Sequence, residues 1–114
     1  MAYTHDLSAK FHKPEETSNT LAVLLPGFLF SKDYKNFTSL GDILKDNNIT
    51  TVRFDPTGTW ESGADIEHYS ITQYLSDIEQ VIEFSLTEKK YENVILIGHS
   101  MGGWAAVMSA IDNT

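Results

Sequence analysis

The hydrophobic and polar positions of this chain follow several distinct patterns. Strict alternation from Tyr3 to Phe11 predicts an edge strand with one solvated face. The runs Leu21–Leu25 and Asn93–Ile97 are apolar almost throughout, which is typical of strands buried on both faces. A further strand is predicted at Thr50–Phe54, where the turn sequence Asp55–Gly58 follows.

Two segments repeat apolar side chains every three or four residues, which predicts amphipathic helices. The first is Asp33–Lys45, ended by Asn47-Asn48, since asparagine tolerates left-handed backbone. The second begins at a capping box formed by Ser70 and Gln73. Its predicted apolar stripe is Ile71, Leu75, Ile78, Ile82 and Leu86, widened by Tyr74 and Val81.

The order of elements is strand, strand, helix, strand, helix, strand, helix, with the last helix formed by small side chains after the fourth strand. Such alternation predicts an α/β fold, a mostly parallel β-sheet with helices on both faces and an amphipathic N-terminal edge strand. A chain of 114 residues buries roughly 65% of its unfolded surface, enough for one core. Residues 1–114 are therefore predicted to form a single domain.

Charge and composition exclude several classes of function. Sixteen acidic and eight basic residues give a net charge of −8, and the only adjacent basic pair is Lys89-Lys90. Neither nucleic acid nor an anionic membrane is therefore an expected partner. Cysteine is absent, which excludes disulfides and thiolate metal sites, and no metal or other cofactor is predicted. No apolar run resembles a signal peptide or a membrane span, so a cytoplasmic location is expected.

The segment Gly98-His99-Ser100-Met101-Gly102 carries the main chemical signal. A buried strand precedes it and a helix rich in small residues follows, which is the context of a nucleophile elbow. The sharp turn lifts the Ser100 hydroxyl above the sheet, and glycine at 98 and 102 avoids a clash between residues two before and two after it. Two chance glycines around a strand-end serine are the alternative, which this context disfavours.

A second signal is Pro26-Gly27-Phe28 at the end of the first buried strand. A tetrahedral intermediate needs two donors aimed at its oxyanion, and we expect these to be the backbone N–H groups of Phe28 and Met101. Alone, the segment reads as a simple turn beside a core aromatic residue. The elbow favours the oxyanion role.

Together these motifs resemble the N-terminal half of an α/β-hydrolase, most closely the carboxylesterase, monoacylglycerol-lipase and feruloyl-esterase-like branch. The resemblance rests on Leu25–Phe28, Arg53–Ser62 and Gly98–Gly103 and runs from about Leu21 to the end of the chain. It implies a serine hydrolase that acts on small-molecule carboxylic esters through an acyl-enzyme on Ser100. Pro26 stands where relatives often have histidine, and Trp60 stands where they often have a second glycine.

The resemblance also implies a serine, acid, histidine order in which the acid and the histidine follow residue 114. Asp112 is expected at the far end of the last helix, about three turns from Ser100. The isolated chain is therefore expected to be weak or inactive as an enzyme, since loss of triad members costs on the order of 10⁴ to 10⁶ in rate.

The four histidines offer poor substitutes for the missing base. His99 is expected to point away from the hydroxyl, His5 to pack in the core and His12 to be exposed to solvent. His68 is the best of these candidates, because its loop lies at the same sheet end as Ser100.

The charged residues Arg53 and Asp55, at the end of the predicted third strand, are expected to form a structural ion pair.

The fourth strand raises a second hypothesis about function. In the family it is central, so here its apolar edge from Val94 to Ile97 is expected to need cover from a second copy or a second fragment. A non-catalytic α/β scaffold that binds a partner through this open edge is the alternative to a hydrolase. Acyl and alcohol specificity, including any pocket role of Trp60 or Trp104, stays open.

Overall fold

The computed structural model describes residues 7–112 of the chain. Within that range lie four strands, three α-helices and a short 3₁₀ turn at Ile66–His68. The elements in chain order are β1 (Ala9–His12), β2 (Thr20–Leu25), α1 (Lys35–Asp46), β3 (Thr50–Phe54), α2 (Ile71–Glu88), β4 (Asn93–Gly98) and α3 (Met101–Asp112). The predicted α/β class is confirmed.

The strands form one mixed sheet in the order β1-β3-β2-β4. Strand β2 is central and runs parallel to both neighbours, with Leu21 opposite Thr50 on one side and Val94 on the other. Strand β1 pairs antiparallel with β3. Because three strands are parallel, the loops that follow β2, β3 and β4 emerge at the same edge of the sheet.

The N-terminal strand can be compared with its sequence pattern only from residue 7 onward. Within that part β1 spans Ala9–His12, and the predicted positions Tyr3 and His5 lie outside the described residues. Leu7 and Phe11 pack against the core as the alternation predicts. Ala9 was expected on the same face but is exposed, because a groove between β1 and α2 stays open beside it.

Helices cover both faces of the sheet. On one face, α2 and α3 pack over alternate strand residues in a cluster of fully or nearly fully buried side chains: Leu21, Val23, Leu25, Val52, Phe54, Tyr74, Ile78, Val81 and Ala105. On the other face, Gly41 of α1 lies against the ring of His12. Asn48 leaves α1 in the left-handed conformation (φ 62°), as expected.

The buried face of α2 differs from the predicted stripe. Tyr74, Ile78 and Val81 form its centre, whereas Ile71 and Leu86 at the two ends are 38% and 39% exposed. The helix is rotated because polar side chains are also turned inward. Asp77 accepts hydrogen bonds from the N–H and the hydroxyl of Thr57, both at 2.7 Å, so this face of α2 holds the loop after β3.

Two isoleucines of α2 test this orientation. Ile78→Ala should lower the free energy of unfolding by about 2–5 kcal/mol, because a fully buried side chain leaves a cavity. Ile71→Ala is the matched control, and should cost under about 1 kcal/mol since its side chain is already partly in water. Urea denaturation of both variants measures the difference, and equal losses would contradict the observed rotation.

Candidate active site

The turn between β4 and α3 has the geometry that the Gly-x-Ser-x-Gly motif predicts. Ser100 is exposed and has a φ of 56°, in the left-handed region that costs a non-glycine residue about 1–2 kcal/mol. Its carbonyl already accepts from the N–H of Gly103 at 2.9 Å, so the helix begins directly behind the serine. The strand, the turn and the helix thus present the Ser100 hydroxyl to solvent.

The two glycines of the motif are needed for backbone-to-backbone packing. A Cβ atom at Gly98 would collide with the carbonyl group of Gly102. A Cβ atom at Gly102 would collide with the carbonyl of Leu25 and lie 2.8 Å from that of Pro26. The start of α3 therefore rests directly on the end of β2, with no room for any side chain between them.

The segment after β2 forms a tight turn beside the elbow. The N–H of Phe30 donates to the carbonyl of Gly27 at 3.0 Å, and Leu29 has a φ of 60°, as at the third position of a type II turn. A Cβ on Gly27 would lie 3.1 Å from the carbonyl oxygen of His99, which shows how closely this turn approaches the elbow. Phe28 is exposed, so it is not a core aromatic residue.

The two backbone groups predicted as oxyanion donors are free in this arrangement. Among the described residues, neither the N–H of Phe28 nor that of Met101 donates to a protein acceptor. The carbonyl of Gly27 is occupied by Phe30, so the Phe28 N–H of the same trans peptide points away from the turn. Unpaired backbone donors are uncommon, and these two belong to turns in contact with each other.

Three aromatic side chains hydrogen-bond to backbone groups in and next to the Phe28 turn, and none of these bonds was predicted. The hydroxyl of Tyr74 donates to the carbonyl of Pro26 at 2.7 Å. The indole Nε1–H of Trp60 donates to the carbonyl of Leu29 at 2.8 Å, and the Leu29 N–H donates to the hydroxyl of Tyr69 at 3.3 Å. Burial, with Tyr69 and Asp77 nearby, raises the pKa of Tyr74 far above its ordinary value, so its hydroxyl stays a donor.

A buried ammonium group joins the loops after β2 and β3. Lys32 is 1% exposed, and its Nζ contacts Asp55 Oδ2 at 3.0 Å and Glu61 Oε1 at 2.6 Å. Burial alone would lower the pKa of Lys32, but hydrogen bonds to Glu61 and Asp55 and the charges of Asp55 and Asp33 raise it above 10.5. The amine is therefore charged at neutral pH and cross-links the two loops.

Arg53 and Asp55 do not form the ion pair with each other that the sequence predicted. Within residues 7–112, Arg53 Nη1 donates to the carbonyl of Lys32 at 2.6 Å and to Asp33 Oδ1 at 3.1 Å. Asp55 instead accepts the backbone N–H of Lys32 at 2.7 Å as well as its ammonium. The Lys32-Asp33 segment is thus held by both residues, which makes their role structural as expected.

The expectation that His12 is exposed was wrong. Its side chain is 11% exposed, and its ring accepts from Arg53 Nε at 2.8 Å while its Nδ1 lies 3.0 Å from Asp42 Oδ1. Residue 12 follows Phe11 on an alternating strand, so it faces α1 on the side opposite the core cluster. The buried Arg53 guanidinium needs such an acceptor.

His99 and His68 are the other histidines among the described residues. The ring of His99 stacks on Phe30, with centroids 5.5 Å apart, and makes a tilted contact with Tyr34, with centroids 5.4 Å apart. His68 is exposed in the 3₁₀ turn of the loop after β3. Within the described part of the chain, no group of three or more His, Cys, Asp or Glu side chains is arranged to hold a metal ion.

The edge of the sheet at β4 is the second notable surface. Val94 and Ile95 are 39% and 43% exposed, and no strand of residues 7–112 pairs with the outer side of β4. A groove of about 630 Å³ runs beside it between α2 and α3, with apolar walls that include Ile82 and Val107 and with Glu79 and Glu83 at its margin.

None of the described helices is long and apolar enough to cross a membrane.

The chain is similar in sequence to a known family and to named proteins. The family described as serine aminopeptidase, S33 matches residues 18–114. A Mycoplasma genitalium protein that bears the name esterase/lipase 2 is 33% identical over 98 residues, which is 84% of this chain and 34% of that protein. The mitochondrial palmitoyl-protein thioesterase ABHD10 of Rattus norvegicus is 24% identical over 106 residues, 93% of this chain and 34% of that protein.

The fold of this chain is similar to that of a solved structure. Est1E from Butyrivibrio proteoclasticus, with ferulic acid bound, superposes with a TM-score of 0.87 at 20% sequence identity. The alignment covers 94% of this chain and 44% of that one. The chain thus spans about a third of the length of the curated relatives it matches and under half of this structural neighbour.

Neighbouring glycines at the start of α3 test the elbow packing. Gly102→Ala should lower the free energy of unfolding by about 1–3 kcal/mol or prevent folding, because its methyl meets the Leu25 carbonyl. Gly103→Ala should be neutral or stabilise by up to about 1 kcal/mol, since its methyl would lie 3.5 Å from the nearest atom and alanine favours the helix. Thermal and urea unfolding measure both, and tolerance of alanine at 102 would contradict the geometry.

Proposed function

The chain belongs to the serine aminopeptidase, S33 family of α/β-hydrolases, and on that premise we propose that Ser100 is the nucleophile of a hydrolase acting on carboxylic esters. The observation that carries the proposal is the pairing of an exposed serine at φ 56° with two free backbone donors. We also propose that residues 1–114 belong to one α/β-hydrolase domain.

In the proposed reaction, Ser100 Oγ attacks the acyl carbon while a base takes the hydroxyl proton. The tetrahedral intermediate then expels the alcohol, to which the base returns the proton. Water hydrolyses the acyl-enzyme, which releases the acid and restores the Ser100 hydroxyl. We propose that the base is not supplied by the described histidines near the sheet. His12 is engaged by Arg53 and Asp42, and His99 is stacked on Phe30, so ester turnover by this chain alone should be weak or absent. A fluorophosphonate is far more reactive than an ester, so Ser100 should still be labelled slowly.

The N–H groups of Phe28 and Met101 are the proposed oxyanion donors. Support comes from their lack of protein acceptors within the described residues, from the contact between their two turns, and from the position of Met101 at the start of α3. The helix dipole places partial positive charge at that end. Donors fixed in advance stabilise charge that develops only during the reaction.

The substrate class follows from the family and from the rim of the site. The relatives named above are an esterase/lipase and a thioesterase for palmitoylated proteins, and Est1E was solved with ferulic acid. Exposed apolar side chains surround the proposed site, including Phe28, Phe30 and Trp60. We therefore propose a small-molecule ester or thioester with an apolar acyl group.

A fluorophosphonate probe tests the nucleophile. We expect slow covalent labelling of the wild-type chain that mass spectrometry assigns to Ser100 and that Ser100→Ala abolishes. Ser39→Ala, at an exposed serine of α1, is the matched control and should label like the wild type. Labelling confined to other serines, or equal labelling of Ser100→Ala, would contradict the assignment, and absence of any labelling would favour the scaffold hypothesis.

The exposed edge of β4 supports a second candidate function, a scaffold that binds a polypeptide through that edge. Val94 and Ile95 are apolar and accessible, and the backbone groups on the outer side of β4 are available for strand addition. The occupant is either a second copy of this chain or another polypeptide that supplies a strand. This function does not require an activated Ser100.

Sedimentation at several concentrations tests self-pairing at the β4 edge. The wild-type chain should associate into dimers as concentration rises, and Ile95→Lys should shift it to monomer because a charge at the edge opposes strand pairing. Ile43→Lys changes another exposed isoleucine, on α1, which packs on β3 and β1, and should leave association unchanged. A wild-type chain that stays monomeric throughout would exclude the second copy as occupant.

A further inference from the structure

Trp60 makes a contact that its exposure would not suggest. Its residue surface is 66% accessible to solvent, so it contributes little to the core. Its indole N–H nevertheless donates to the Leu29 carbonyl at 2.8 Å, across from the loop after β3 to the turn after β2. Both residues have left-handed backbone, with φ of 45° at Trp60 and 60° at Leu29. The hydrogen bond of this exposed side chain therefore stabilises the conformation of the turn after β2 and adds little to the core.

Leu29 occupies the position of the turn where a side chain is least favoured. In a type II turn the third residue needs positive φ, which favours glycine or asparagine. Here both backbone groups of a leucine are held by side chains from the loop after β3, the carbonyl by Trp60 and the N–H by Tyr69. The ring of Tyr69 also packs on Phe28, with centroids 5.6 Å apart. Trp60 and Tyr69 therefore clamp this turn from outside.

The direction of the Phe28 N–H depends on that clamp. The peptide unit between Gly27 and Phe28 is oriented by the bond from the Phe30 N–H to the Gly27 carbonyl at 3.0 Å. Leu29 lies between those two bonded groups, so a rotation of Leu29 out of positive φ breaks the turn and redirects the Phe28 N–H. We infer that Trp60, with Tyr69, is a positioning residue that aims the Phe28 N–H at the oxygen of the substrate; this rests on the proposed function.

Trp60 is itself held in place by the residue that follows it. The N–H of Glu61 donates to Asp55 Oδ2 at 3.1 Å, and the Glu61 carboxylate accepts from the Lys32 ammonium at 2.6 Å. Lys32 closely follows the clamped turn in the chain. The two loops are thus joined at Leu29 by the indole and at Lys32 by the buried ammonium, so the backbone that carries the indole is itself fixed.

Amide NMR tests the clamp without any chemistry at Ser100. In the ¹⁵N-labelled chain, Trp60→Phe keeps an aromatic ring but removes the donor, and should shift the Phe28 and Leu29 amide signals while the Met101 signal stays in place. Trp104→Phe, which changes the other tryptophan on α3, is the matched control and should leave Phe28 unmoved. Tyr69→Phe should move the same two signals as Trp60→Phe. Unchanged Phe28 and Leu29 signals in both clamp variants would overturn the inference.

Labelling kinetics then test the role in the reaction. With the fluorophosphonate probe, Trp60→Phe should lower the maximal rate of labelling at Ser100 about tenfold and change the half-saturating probe concentration less than twofold, because a misdirected donor affects the transition state. Tyr91→Phe, just before β4 and at the opposite end of that strand from Ser100, should label like the wild type. A Trp60→Phe chain that labels at the wild-type rate would overturn the positioning role. Should the wild-type chain itself not label, the proposed function fails while the amide signals still decide the clamp.

Discussion

The contact between the start of α3 and the end of β2 is the constraint on which the site depends. Gly98, Gly102 and the carbonyl of Leu25 approach so closely that no Cβ atom fits at either glycine. This packing turns the chain sharply enough to place Ser100 in left-handed backbone at the edge of the sheet. It also brings the Met101 N–H beside the turn that carries Phe28. A larger gap at this point would move Ser100 and Met101 away from the Phe28 N–H.

Backbone strain is concentrated at this same edge of the sheet. Five non-glycine residues within the described range have positive φ, and four of them lie in the loops that follow β2, β3 and β4: Leu29, Trp60, Ala64 and Ser100. Strained residues persist only where their surroundings hold them. For Leu29 and Trp60 the surroundings are the hydrogen bonds of Trp60 and Tyr69 and the ion pair between Lys32 and Asp55, whereas Ser100 is held by the glycine contacts at the start of α3. The packed core must therefore offset the backbone strain in these three loops.

The two notable surfaces of the molecule differ in character. At the loop edge, exposed aromatic side chains lie around the Ser100 hydroxyl and the N–H groups of Phe28 and Met101, where we propose that a small ester binds. At β4, an apolar strand edge lies beside a groove with acidic margins, which suits a polypeptide. The family assignment supports our proposal that the first surface is the origin of function.

The sequence by itself determined the element types, the parallel character of the sheet, the resemblance to α/β-hydrolases and the position of the Ser100 turn. These are all encoded locally, because apolar spacing reports which face of an element is buried and because only glycine fits at 98 and 102. Sequence reasoning missed the rotation of α2, the burial of His12 and the partners of Arg53 and Asp55. Only the tertiary structure decided these, and only it revealed the clamp of Trp60 and Tyr69 on Leu29. Such contacts join residues about 20 to 40 positions apart whose pairing depends on strand order and loop path, and no local pattern records either.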